Sequence, residues 1–363
     1  MDRSRPHRAS PPSSARRARG ATMVELMVAL VIGLVVGLAA LNNARMFGNS
    51  GRSQAGGGTA VASGAAAIGA MKFELQMAGL GFFSDATALC PTLNLQVNGL
   101  KLADNTPFQA ARVNRMPDGT DQLEVVYGTA VNAGAGSRSM SPMLAAMGTT
   151  TLNLGSGIAA NQAVMFASPS LALPCTVATV SSAVDGASFK TVQFNTVARF
   201  NPANWGATFA VVPNYQDNSW VSPLGDVVWR RYYVRADALY MLDVFTNVGS
   251  LIAEGIVQIR AQYGLAANAT STTVAAWQDA VANAPLAAGV QQRLRAIRVG
   301  LVAVNTQRER PQESASCEAT LNSPVIWPGE IVDLSARANW QCFRYRTMYT
   351  VVGTRNMQWG LTP

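Results

Sequence analysis

The sequence predicts an α+β fold: a long N-terminal hydrophobic helix packed on a C-terminal antiparallel β-sheet head with irregular insertions. Three observations predict it. Leu26 to Ala44 contains no charged residue. Ile68, Met71, Leu75 and Ala78 then recur at helical spacing inside the alanine-rich residues 60–78, which marks one face for burial against a sheet. From about residue 84 the period changes to two, and short apolar runs alternate with turns.

The first element to justify is the apolar run. At ~1.5 Å rise per residue it reaches ~28 Å, about one hydrocarbon thickness. Six arginines precede it (Arg3, Arg5, Arg8, Arg16, Arg17, Arg19), whereas Arg45 and Arg52 follow it closely. The positive-inside rule puts such an N-terminus in the cytoplasm and the bulk of the chain outside. A conventional signal peptide has a shorter apolar core and small residues at a cut site just after it. Neither Leu38-Ala39-Ala40 nor Asn42-Asn43-Ala44 fits that pattern, and Glu25 is out of place in it. A plain single-pass anchor explains the length but not Glu25. A carboxylate near a bilayer centre costs roughly 3 kcal/mol, and less near an interface. Gly33 and Gly37 form a G-x-x-x-G, which lets helices approach closely or reflects only how common glycine is in membrane helices.

Composition narrows what the chain can do. The 363 residues are 49% apolar and 13% charged, a folded composition. Against Asp2, the six leader arginines give residues 1–20 a charge of +5, which leaves only +3 of the net +8 for the rest. The basic balance is thus a weak argument for nucleic-acid binding, and no specific nucleic acid is expected. The single histidine is His7. Without the leader no histidine remains for a Ser-His-Asp triad, a Cys-His pair or histidine-ligated zinc. There is no G-x-S-x-G elbow and no acid cluster of metal-ligand spacing. An enzyme, a cofactor or a metal is therefore not expected, although a carboxylate pair for glycoside hydrolysis is compatible with any acid-containing head. Cys90, Cys175, Cys317 and Cys342 make no C-x-x-C. Scattered cysteines in even number beyond a membrane segment favour disulfides over buried thiols. Four cysteines allow three pairings; Cys317–Cys342 with Cys90–Cys175 is placed first.

The glycine-rich stretch Gly48 to Gly58 is expected to loosen the helix before a second helical part, and Gly79 and Gly81 to stop it. Leu123, Val125 and Tyr127 alternate after the turn Met116 to Asp121, whose Asp118 and Asp121 fit a plain turn better than a calcium loop. Further strands are expected at 162–168, 188–197, 207–212 and 227–235, with a hairpin turning at Arg235 to Ala238. The stripe Trp229, Tyr233 and Tyr240 with Arg230, Arg231 and Arg235 superficially suits single-stranded nucleic acid, but a sheet face with cross-strand pairs is the simpler reading. Residues 266–289 read as an exposed loop, and strands return at Leu294 to Val304 and Phe343 to Val352.

Gly20 followed by Ala-Thr-Met-Val-Glu and an apolar run resembles the class III signal of type IV pilins and pseudopilins. The resemblance implies cleavage after Gly20 by a prepilin peptidase and N-methylation of the new N-terminus, Ala21. It makes Glu25 the glutamate at the fifth mature position. Ala21 departs from the phenylalanine usual there, and minor components vary more at that place. The implied organisation is a cleaved basic leader (1–20), a transmembrane and filament-core helix (21–47), a glycine-rich joint with the second part of the helix (48–83), and a periplasmic or extracellular β-rich head (84–363). In a stack of subunits the Ala21 amine of one chain can meet Glu25 of its neighbour and set the axial register. Gln76 to Phe83, Trp229 to Arg235, Gly255 to Gly264, Ile297 to Leu301 and Thr354 to Trp359 are similar, in this order, to PilW-type minor pilins. That similarity implies a pilin-like fold and a structural role in priming or tipping a type IV pilus. The implied partners are other minor pilins, the major pilin and a large tip adhesin. The chain would sit in the inner membrane with its head periplasmic, then in a cell-surface pilus. A minor pseudopilin of type II secretion is the alternative within the family. A membrane-anchored periplasmic enzyme and a DNA-uptake protein are the alternatives outside it.

Overall fold

A computed structural model describes residues 23–83, 90–145, 148–170, 172–195, 197–281, 284–309 and 317–357. Its first element, helix α1 (Met23–Met77), is helical at every residue, including the glycine-rich stretch where a loosened joint was expected. Each glycine costs about 1 kcal/mol relative to alanine, yet the backbone hydrogen-bond ladder needs no Cβ. The division of the chain into two compact units nevertheless falls there: one ends at Gln54 and the other begins at Ala55.

In the first unit, Met23–Leu41 is long and apolar enough to cross a membrane, with a mean hydropathy of 2.6 and no buried residue.

The second unit opens with the remainder of α1. Its buried face is Ala60, Gly64, Ala67, Met71, Leu75 and Ala78, so Ala67 takes the place expected for Ile68, which packs at the margin. Small residues at the start of this face let the helix lie close to the sheet. A Cβ at Gly64 would stand 2.8 Å from the Met348 sulfur. The helix stops at Gly79, whose φ of +82° suits glycine. Its last carbonyls do not go unpaired: Asn356 Nδ2 donates to Gln76 O at 2.9 Å and to Met77 O at 3.2 Å.

Two antiparallel sheets share one core with this face, including Val113, Leu123, Ile259 and Leu301. One has five strands in the order Val248–Glu254, Ala238–Asp243, Val227–Arg235, Asp121–Gly128, Ala111–Arg115. The other has four, in the order Ala276–Asp279, Ile256–Leu265, Leu294–Val304, Tyr345–Gly353. The hairpin expected at Arg235 to Ala238 pairs those two residues, with Ala236 and Asp237 at φ +48° and +57°. Two successive positive φ values make the tight turn that matches strand twist.

A six-stranded sheet runs Leu100–Pro107, Thr92–Val97, Cys175–Thr179, Ala163–Ala167, Trp220–Gly225, Ser137–Arg138. It contains one parallel pair, Leu93 beside Cys175, and its other pairs are antiparallel. A three-stranded sheet completes the head: Thr149–Leu152, Lys190–Gln193, Ser182–Asp185.

Three expectations need correction. Residues 207–212 form no strand. A single helical turn, Trp205–Thr208, stands there because the Asn204 side chain accepts the Gly206 N–H and caps it. The expected loop 266–289 contains the edge strand Ala276–Asp279, which pairs with Ile256–Leu265. The last strand begins at Tyr345, since Trp340–Cys342 is a short 3₁₀ turn.

Candidate functional site

The exposed helix in the first unit is the first candidate. Leu26 is 59% exposed, Met27 62%, Val31 63%, Ile32 58% and Val36 60%. These positions point in all directions around a helix, so the segment is apolar and exposed on every side. Burying a side chain of this kind is worth about 1.5–3 kcal/mol, and the segment as a whole on the order of tens of kcal/mol. Such a surface fits a segment anchored in a bilayer. Glu25 lies in the first turn and is exposed. The partial positive charge of a helix N-terminus favours a carboxylate at that place. Nothing stands within 4 Å of a Cβ built on Gly33 or on Gly37, so both leave bare backbone on the surface. Gly20 and Ala21 lie outside the described residues.

The second unit resolves the remaining chemistry-bearing residues into structure. Cys90 is bonded to Cys175 and Cys317 to Cys342, the pairing placed first from the sequence. The first bridge lies at the parallel strand pair; the second closes the excursion between the last two long strands. The aromatic and basic stripe is a paired sheet face. Tyr233 and Tyr240 are cross-strand partners with ring centroids 5.8 Å apart. Trp229 Nε1 donates to Glu124 at 2.7 Å, and Arg231 Nε donates to the other oxygen of the same carboxylate at 2.9 Å. Arg230 pairs with Glu74 on the helix. Asp118 Oδ1 accepts the Thr120 N–H at 2.9 Å, a turn bond. Asp121 is fully buried, pairs with Arg115 and accepts the Ala261 N–H at 2.7 Å. Burial pushes its pKa up despite those bonds. Among the described residues no three His, Cys, Asp or Glu side chains are grouped to hold a metal.

Glu74 is the residue that pattern reading missed. It is 3% exposed and sits on the buried side of α1 beside Leu75. Burial and the negative field of Glu74 together raise the hydroxyl pKa of Tyr127 to about 12 and also raise that of Tyr232. The only sequence signal was an acid one position from an apolar stripe, facing a stretch with three arginines.

With the geometry in hand, comparison with known proteins adds one localised match. Residues 15–41 match the family described as Prokaryotic N-terminal methylation motif. No curated protein matches the chain. Among solved structures, a type IV-like pilin from Thermus thermophilus is similar at 14% identity, over 55% of this chain and 87% of that one, with a TM-score of 0.21. An endosialidase of phage phi92 is similar at 10% identity, over 62% of this chain and 43% of that one, with a TM-score of 0.16. The motif and the apolar helix together fit the class of proteins anchored by a single N-terminal span.

Proposed function

We propose that the protein is a minor subunit of a type IV pilus, with a structural and not an enzymatic role. One observation carries the reading: a helix exposed on every side, with Glu25 in its first turn, lies inside the methylation motif. In this reading a prepilin peptidase cuts after Gly20 and methylates the Ala21 amine. The helix is held in the inner membrane with the head on the periplasmic side. During assembly the bilayer is exchanged for the helices of the major pilin and of other minor pilins. Apolar contacts supply the attraction but no axial register, because a uniformly apolar rod can slide. The Glu25 carboxylate of one subunit against the Ala21 amine of the next supplies it, since a misplaced pair leaves both charges in low dielectric. Gly33 and Gly37 allow close approach of backbones. The head, placed at the tip, receives no further subunit above it and can present itself to an adhesin.

The test is mass spectrometry of the membrane-extracted protein together with filament recovery. The mature chain is expected to begin at methylated Ala21. Glu25→Val should be processed normally yet be depleted from sheared filaments. An N-terminus beyond residue 40, or full incorporation of Glu25→Val, would refute the mechanism.

A further inference from the structure

The sheet edges of the head differ in how they are protected. Among the described residues, most edge strands are short: Ala111–Arg115, Ser137–Arg138, Thr149–Leu152, Ser182–Asp185 and Ala276–Asp279. Leu100–Pro107 is longer but carries Lys101, Asp104, Pro107 and register shifts against its neighbour. Val248–Glu254 also meets its neighbour with a register shift. Such devices blunt an edge against adding another strand. Tyr345–Gly353 has only one of them, the charge of Arg346. It is the longest edge strand, with nine residues, contains no proline, and pairs with Leu294–Val304 without a register shift. Its outer side presents a row of backbone donors and acceptors.

Beside this edge lies a cleft of about 520 Å³, lined by Lys72, Gln76, Val351, Gly353, Arg355 and Asn356. Its charged groups are both cations, and Arg346 adds a third, exposed on the edge strand itself. Among the described residues no carboxylate pairs with Lys72, Arg346 or Arg355. On one side of the strand, Met348 and Val352 pack toward the helix core. The alternate residues Tyr349 and Val351 are 53% and 49% exposed on the other.

We propose that this edge is a recognition site for an extended, acidic segment of a partner protein, which adds to the sheet as a fifth strand. Backbone hydrogen bonds to Tyr345–Gly353 hold the segment. Acidic side chains on its helix-facing side meet Lys72 and Arg355, and apolar or aromatic side chains on its other side cover Tyr349 and Val351. Specificity follows from this alternation, as in other strand-addition complexes. The inference concerns the head alone and goes beyond the proposed role in the filament.

The test is selection of a random dodecapeptide display library against the detergent-solubilised full chain. Enriched peptides are expected to alternate Asp or Glu with β-branched or aromatic residues. A synthetic copy of one should bind about tenfold more weakly to the Lys72→Glu/Arg355→Glu variant, whose changes lie at exposed positions. It should also lose binding when alternate peptide amides are N-methylated, which leaves the protein untouched. Enrichment of no common pattern, or binding indifferent to both charge reversal and N-methylation, would overturn the proposal. So would concentration-dependent self-association abolished by Lys72→Glu/Arg355→Glu, which would assign the edge to a second copy of this chain.

Discussion

Arg230→Met tests the account of how α1 is fastened to the five-stranded sheet. Glu74 is 3% exposed, and its ion-pair partner Arg230 is one-third exposed. Two unit charges in contact attract by about 4 kcal/mol at an effective dielectric near 20. Removing one partner of a buried pair typically costs about 3–5 kcal/mol, because the other charge is left behind uncompensated. The exposure of Arg230 moves the expectation toward the lower end, to about 2–3 kcal/mol. Glu74→Leu should cost less, about 1 kcal/mol, since the abandoned guanidinium can turn to water. The double variant should lie close to Glu74→Leu, with a coupling of about 2–3 kcal/mol. Urea unfolding of the detergent-solubilised chain, followed by tryptophan fluorescence, measures all three. A stability for Arg230→Met within about 0.5 kcal/mol of the parent, or additive single effects, would show that the pair is not what fixes the helix.

Two further predictions concern pH and redox state. Burial raises the hydroxyl pKa of Tyr127, Tyr215, Tyr232 and Tyr263, for Tyr127 and Tyr263 to about 12. An acid whose folded pKa lies above its unfolded value near 10 keeps its proton longer in the native state, so stability is constant below pH 10 and falls from there toward pH 12. Absorbance at 295 nm should show these tyrosines ionising together with loss of structure, and smooth ionisation of a still-folded head would contradict their burial. For the disulfides, loop closure predicts that Cys90→Ala/Cys175→Ala costs about 4–5 kcal/mol and Cys317→Ala/Cys342→Ala about 3–4 kcal/mol, because 85 residues separate the first pair and 25 the second. Denaturant midpoints of the two variants check the order.

The parts of this fold that were legible in the sequence are those set by local pattern. The charge-free run, the buried face of residues 60–78 and the strands Val227–Arg235 and Leu294–Val304 all carry their own periodicity. The parts that were not legible depend on partners distant in sequence. Thr92–Val97 lies parallel to Cys175–Thr179 only because the fold brings together segments far apart in the chain, and no local signal distinguishes parallel from antiparallel pairing. The hairpin was readable from its alternation, but not its turn: Ala236 at φ +48° takes a left-handed conformation that costs an L-residue roughly 1–2 kcal/mol, and its sequence does not announce it. Glycine propensities predict softening over Gly48 to Gly58; the backbone there is helical, and the boundary between the two compact units falls within it. At the candidate site Glu25, Gly33 and Gly37 stood out because a charge and two bare backbones are conspicuous in an apolar run. Glu74 did not, because its counter-charge lies 156 residues away.

Glu25 and Glu74 stand on the same helix and pose one electrostatic problem with two solutions. A carboxylate out of water needs a counter-charge. For Glu74 the head contains it, so the consequence of its removal is confined to the stability of a single molecule. Glu25, exposed in the first turn of the helix, faces a change of setting in the proposed role: a bilayer before assembly and neighbouring helices after it. Its decisive counter-charge there is the terminus of another subunit. The two residues should therefore separate cleanly by assay. Glu74→Leu should lower the urea midpoint of the isolated chain and leave cleavage after Gly20 unchanged. Glu25→Val should leave that midpoint where it was and remove the chain from filaments. A Glu25→Val protein that unfolds earlier in urea and still enters filaments would show that this carboxylate acts within its own chain and not in the register between subunits.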